Sequence, residues 1–345
     1  MNTRMQEEAA SPLGVIGSLT AGFEVVGRHL WLIALPVMLD LFLWLGPRCS
    51  IAPLLHRFIG FMLAQPMPDP TTAQQAKLAA ELLGQVCERF NLLSLLSTLP
   101  LLDLPSLLVR HAVEVRTPLG EARVLLITSS LTLMAWVTVL MPTGLVLGAL
   151  YLNSLARRVR TMHASREAES AADEKGQDAA QTPRVSVGLK KGINVFLFIA
   201  GLLIGGMVLA PLWSLVVGII VMIAPPLGFL LWPIGVGFGG YMALHLLFVM
   251  HGLLLGERGL FRATVESFML IQMQFPSVVG LILLTVVIYE GLGFVWSLPS
   301  GDSWLLLIGI LGNGCVATGL TAATFVFYQE RIGLLPKLRR VSTET

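Results

Sequence analysis

From Gly192 to Gly256 the chain runs without a single Asp, Glu, Lys or Arg. A helix needs about 20 apolar residues to cross the hydrocarbon of a bilayer. The stretch is therefore long enough for two crossings and the turn between them. That turn falls at Pro225-Pro226, because proline has no N–H with which to continue a helix. Spans are expected at 193–223 and 227–254, with Pro211 and tilt absorbing the excess length of the first. The same reasoning gives four more, at Leu30–Gly46, Val124–Leu152, Pro276–Leu298 and Trp304–Tyr328. Asp40 is the only charge in the first of these, and Glu290 the only one in the third. Trp31 and Trp44 lie near the ends of the first span, as tryptophan at membrane interfaces does.

Composition supports this and narrows the choice of function. Only 13% of the 345 residues are charged and 55% are apolar, against roughly 25% charged in soluble domains. The mean hydropathy is +0.77. A net charge of +2, from 23 basic and 21 acidic residues, is too balanced for a nucleic-acid surface. The expected partners are membrane lipids, with a protein partner or a second copy of the chain beside them. Cys49, Cys87 and Cys315 are scattered and form no Cys-x-x-Cys pair, so neither a metal nor a redox site is expected. They read as small apolar residues, with a Cys49–Cys87 pairing as the alternative. No cofactor is implied. Motifs of serine hydrolases, zinc proteases, P-loop enzymes and dinucleotide-binding folds are absent, so an enzyme is not expected.

Six spans put both termini on one side, and basic residues choose which. With the N-terminus inside, sixteen of the 23 Lys and Arg lie on inner segments, eight of them between Arg157 and Lys191. The other seven fall between Arg48 and Arg123, in a segment too long for its charges to count fully. Both termini are thus expected in the cytoplasm of a bacterial inner membrane. No cleaved signal is expected, since Glu7 and Glu8 precede an apolar span that begins only near Leu30.

The resulting fold is all-α, an integral membrane six-helix bundle with interfacial amphipathic helices and a helical extracytoplasmic insertion. Residues 1–29 form an N-terminal interfacial helix. Residues 30–156 hold spans one and two with the insertion at 48–123. Residues 157–192 form a flexible cytoplasmic loop, with too few large apolar residues between 161 and 186 to fold alone. Residues 193–329 carry spans three to six with an interfacial helix at 257–274, and 330–345 form a cytoplasmic tail. Within the insertion, Pro66, Pro68 and Pro70 break the chain. Thr71 or Thr72 then caps a helix to about Phe90, with Leu78, Leu82, Val86 and Phe90 as its apolar stripe. Asn91 to Arg110 contains Asp103 and Pro105 and reads as an interfacial or re-entrant hairpin rather than a crossing.

Two segments share one pattern, an amphipathic helix leading directly into a span. With Gly14 aligned on Gly259, Gly22-Phe23 meets Ser267-Phe268 and Leu30 meets Phe275. The second copy, ATVESFMLIQMQFPSVVGLILL, and the aromatic run Ala323-Thr324-Phe325-Val326-Phe327-Tyr328 resemble bacterial polytopic proteins related to the membrane domain of glycerophosphodiester phosphodiesterases. The resemblance covers roughly the last 150 residues and, more weakly, the first 40. The 48–123 insertion departs from it. It implies a six-span, non-catalytic membrane domain.

Ionisable groups in a bilayer are costly and therefore candidates for function. They are Asp40, His245 and Glu290, with the neutral Asn313 beside them. Either they carry a proton or cation, with His245 as relay, or they hold helices and the insertion together. Three GxxxG pairs, Gly144/Gly148, Gly201/Gly205 and Gly235/Gly239, let helix backbones approach closely, within the bundle or at a dimer seam. Arg157, Arg158, Arg160, Lys190 and Lys191 flank the cytoplasmic loop and are candidates for lipid head groups. The expected function is a non-enzymatic structural or accessory membrane role through lipid or partner contacts. The alternatives are a small-solute or proton-coupled transporter using Asp40, Glu290 and His245, then a lipid-modifying enzyme.

Overall fold

The computed structural model describes residues 13–66, 70–97, 104–111, 116–172, 188–256 and 259–333. The chain is an all-α, multi-pass membrane protein. Among the described residues five helices are long and apolar enough to cross a bilayer, and six when a bent pair counts as one span. The bent pair comes first. Helix α1 (Val15–Arg28) ends at His29, a 3-10 turn (Leu30–Ile33) follows, and α2 (Ala34–Leu45) leaves at 96° to α1. Pro36 falls in the first turn of α2, where its missing N–H removes no helical bond.

The insertion opens with strand β1 (Arg48–Ser50), then α3 (Ala52–Leu63) and α4 (Pro70–Arg89). A 3-10 turn (Leu92–Leu96) and the short helix α5 (Leu107–His111) follow. A small hairpin, β2 (Arg116–Thr117) and β3 (Gly120–Glu121), turns at Pro118-Leu119 and enters β3 on Gly120, whose φ of 104° favours glycine. Strand β4 (Val124–Leu126) then runs parallel to β1, pairing Arg48 with Val124 and Ser50 with Leu126. The remaining helices are α6 (Ser130–Ala172), α7 (Gly188–Ile223), α8 (Pro225–Leu246), α9 (Val249–Leu255), α10 (Leu260–Trp296) and α11 (Leu306–Ile332).

Several boundaries differ from those expected. Span two begins at Ser130 rather than Val124, because Val124–Leu126 bond to β1 instead of opening a helix. The expected flexible loop at 157–192 is helical through Ala172 and again from Gly188. Its Ala-, Glu- and Arg-rich sequence cannot form a core, yet those residues rank among the better helix formers. The rest of that loop lies outside the described residues, as do 1–12, 257–258 and the tail from 334. Span four runs Pro225–Leu255, as expected, with a break between α8 and α9 after Leu246. Span six runs four residues past Tyr328 and takes Arg331 into the helix. Helix α4 begins at Pro70, so Thr71 and Thr72 lie in its first turn rather than capping it. Its stripe residues Leu78, Leu82 and Val86 are exposed. Between Asn91 and Arg110 the described residues form a 3-10 turn at Leu92–Leu96 and the start of α5 at Leu107, residues 98–103 lying outside the described ones, and all three cysteines are free.

The internal repeat has a structural counterpart. With Gly14 on Gly259, the break at His29 meets the non-helical Gln274 in α10. The second kink follows from Pro276, which cannot donate to the preceding turn and disfavours helix at the residue before it. Ser18 N–H donates to Gly14 O as Ala263 N–H does to Gly259 O. Ser18 and Ala263, Gly22 and Ser267, and Val25 and Leu270 are buried pairwise, whereas Ile16 and Phe261 are both exposed.

The chain divides into two compact units. The first holds Met1–Val25, Leu152–Leu284 and Thr321–Thr345, the second Val26–Tyr151 and Thr285–Leu320. The first unit's core is aromatic, with the Phe248 ring stacked 6.0 Å from Phe327 and 5.8 Å from Tyr328. In the second, Val37, Trp44, Leu107, Leu306 and Ile310 form one buried cluster.

Candidate functional site

In the second unit, the two carboxylates of the spans converge on one short piece of the insertion. Asp40, on α2, is 1% exposed. The Ser106 hydroxyl donates to its Oδ1, Leu107 N–H to Oδ2 at 2.9 Å and Leu108 N–H to Oδ1 at 3.4 Å. Ser106 Oγ in turn accepts from Val109 N–H at 3.2 Å. These bonds fill the donors that a helix leaves orphaned at its first turn, so α5 starts on a carboxylate from another helix. Glu290, on α10, holds the other end. The Arg110 side chain donates to its Oε1 from both Nε and Nη2 at 2.8 Å, and His111 Nε2 stands 3.8 Å from Oε2. The guanidinium also lies 5.0 Å from the Tyr289 ring centre. The two ends differ in character: Asp40 is sealed, whereas Arg110 and Glu290 side chains are 45% and 44% exposed.

Between the two ends Leu107 is wholly buried in the Val37–Trp44–Leu306–Ile310 cluster. Trp44 Nε1 donates to Gly301 O at 2.7 Å, and its ring meets Trp304 edge-on. A little upstream, Asn91 Oδ1 accepts from Cys49 N–H at 3.0 Å and Leu93 N–H at 3.2 Å, and Ser97 Oγ donates to Leu104 O at 2.7 Å. Burial lowers the pKa of the Arg48 guanidinium and raises those of the Cys49 and Cys87 thiols.

His245 lies in the first unit, with other partners. It is 1% exposed, its Nδ1 is 2.8 Å from Tyr241 O, and the rings of Tyr241 and Phe268 flank it. Ser267 Oγ donates to the His245 carbonyl at 2.6 Å. The Ser267-Phe268 pair singled out in the repeat thus secures His245. A second histidine, His251, was not singled out from sequence. Its Nε2 is 2.8 Å from Thr324 Oγ1, and Phe325 packs 4.2 Å from its ring. The aromatic run 323–328 signals that site. Asn313, in the second unit, is 1% exposed, and its Nδ2 has no hydrogen-bond partner among the described residues.

The glycine pairs separate. A Cβ on Gly144 would stand 3.0 Å from the carbonyl oxygens of Leu95 and Leu96, so that glycine admits the Leu92–Leu96 turn; Gly148 is buried. A Cβ on Gly235 would strike the Trp213 indole. Gly201, Gly205 and Gly239 face open space within 4 Å, so no close approach within the chain occurs there, and the expected dimer seam is not addressed by a single chain. Neighbouring residues supply the internal contacts of α7 and α8, Trp213 on one helix and Gly235 on the other. Among the basic residues, Arg160 Nη2 donates to Leu254 O at 3.0 Å, Arg157 is exposed and Arg158 half-buried. The side chains of Lys190 and Lys191 lie outside the described residues. Just beyond, Arg166 pairs with Glu24 at 2.8 Å and His163 stands 3.9 Å from Glu330.

No group of three or more His, Cys, Asp or Glu that could hold a metal occurs among the described residues. No protein-family model, curated protein or solved structure matches this chain.

Proposed function

We propose that this chain is a non-enzymatic, structural or accessory protein of a bacterial cytoplasmic membrane, with both termini inside, acting through contacts to lipid or a protein partner. One observation carries the reading: Asp40 and Glu290, the charges that a transporter would use, are both engaged by Ser106–His111 of the chain's own insertion. A carboxylate that relays protons must exchange partners. Asp40 instead accepts from three groups at one helix start, which favours holding over carrying. The second-copy or partner contact belongs to the same reading, as does the resemblance to phosphodiesterase membrane domains.

Reconstitution in liposomes with an entrapped pH dye tests it. Wild type, Asp40→Asn and Glu290→Gln are expected to leak protons no faster than protein-free vesicles under an imposed gradient. Flux in the wild type that Glu290→Gln abolishes would replace the accessory role with proton-coupled transport.

A further inference from the structure

The insertion carries an apolar surface that its own fold leaves uncovered. On α3, Leu54, Phe58, Phe61 and Met62 fall at the spacing of one helical face. None of the α3 side chains is buried, and Phe61 is 66% exposed. Strand β4 is no better covered: Val124, Leu125 and Leu126 are all exposed, although successive strand residues point to opposite faces. In water, such an edge strand and such a helix face would each be an aggregation site.

The fold fixes where this surface lies. Arg48 N–H donates to Arg123 O at 2.8 Å and Ile127 N–H to Ser50 O at 2.9 Å, closing the insertion at its neck. Arg57 Nη1 donates to Thr128 O at 3.1 Å. A single side chain therefore ties the middle of α3 to a residue just before α6, a membrane-crossing helix, begins at Ser130. The first turns of α6 expose Leu131 and Met134, 78% and 67% open, as a lipid-facing span does. That bond holds α3 next to the start of a span, and β4 ends four residues before the same span begins, so both exposed apolar elements are tied to its first turn.

We infer that α3 and β4 seat in the boundary between head groups and acyl chains of the leaflet on the insertion's side, so that their partner is the lipid surface. The long segment between spans one and two is then anchored both at the bilayer and at the clasp that Asp40 and Glu290 form on Ser106–His111. This deepens the accessory reading above and rests on it, by naming lipid as what the insertion contacts. A helix with an apolar face and a single Arg on its flank has the character of a monotopic anchor.

Photocrosslinking of the full-length protein tests this. p-Benzoylphenylalanine replaces Phe61, and in a separate variant Met134, in protein reconstituted into phosphatidylethanolamine–phosphatidylglycerol vesicles. After irradiation, intact-mass spectra are expected to show the addition of one phospholipid at both positions, in yields of the same order. A lipid adduct at Met134 with none at Phe61 overturns the inference, as does a covalent dimer formed through Phe61. Should the Phe61 variant melt earlier than wild type, the same comparison is made at Phe58. Proton flux lost in Glu290→Gln would remove the accessory reading while leaving a lipid adduct at Phe61 in place, so the two failures are separable.

Discussion

At Asp40 the chain spends a buried carboxylate on three donors of a neighbouring segment, and the consequences of removing it follow from that count. Asp40→Ala leaves the Leu107 and Leu108 N–H groups and the Ser106 hydroxyl without their acceptor, at a cost of about 3 kcal/mol or more. Asp40→Asn keeps one acceptor oxygen but turns an N–H₂ toward donors, so its loss is smaller but of the same sign. Glu290→Gln breaks an ion pair that is nearly half open, which solvent screens to about 1 kcal/mol or less. Thermal unfolding in detergent is expected to rank the three in that order. Equal losses for Asp40→Ala and Glu290→Gln would show that the two ends of the clasp do not differ as their exposure requires. The thiols offer an independent check. Burial holds Cys49 and Cys87 protonated above the ordinary thiol range, so little thiolate exists near neutral pH. Neither is expected to react with maleimide in the folded protein, and both are expected to react in denaturant; peptide mapping reads the result. That Asp40 and Glu290 stand out as charges was legible from their place in apolar runs. That Ser106, Arg110 and His111 would meet them was not, since contacts across so long an insertion leave no local pattern.

Helices and glycines show the same limit at the next scale. Periodicity located the breaks, because an amphipathic pattern that gives way to a uniformly apolar one must change direction at the membrane surface. His29 and Gln274 fall at that change in both copies of the repeat. The extension of α6 to Ala172 leaves no mark in apolar content, because helix propensity needs no core. The three GxxxG pairs look alike as letters, yet only their surroundings decide what a methyl group would do. Gly144→Ala places a Cβ against two carbonyl oxygens and is expected to destabilise by about 1–3 kcal/mol. Gly205→Ala meets nothing within 4 Å and relieves a helix of glycine's backbone entropy, so it is expected to be neutral or stabilising by up to about 1 kcal/mol. Paired thermal melts of the two variants check this. A loss at Gly205→Ala as large as that at Gly144→Ala would mean that the Gly201/Gly205 face is covered in the assembled protein.

For the molecule as a whole, helix length and charge together bear on orientation. Helix α6 contains 43 residues, which at about 1.5 Å per residue is about 65 Å, twice the roughly 30 Å of hydrocarbon it crosses. Its apolar first half, free of charge until Arg157, is the part that spans. In the proposed topology the remainder, with Arg157, Arg158, Arg160, His163 and Arg166, stands in water across the membrane from the insertion. The ion pair between Arg166 and Glu24 joins the end of α6 to α1 within the first unit, so the proposed topology requires α1 on the same side as that end. Positive residues near span ends favour the cytoplasm, so the reading with both termini inside makes two linked demands. A cysteine introduced at the exposed Ser165 is expected to react with an impermeant maleimide only in inverted vesicles, and one at the exposed Gln75 only in right-side-out vesicles. The opposite pattern at both sites reverses the orientation while leaving the clasp intact. Labelling of both sites from the same side is the more damaging result, because α6 then does not cross and the count of spans fails with it.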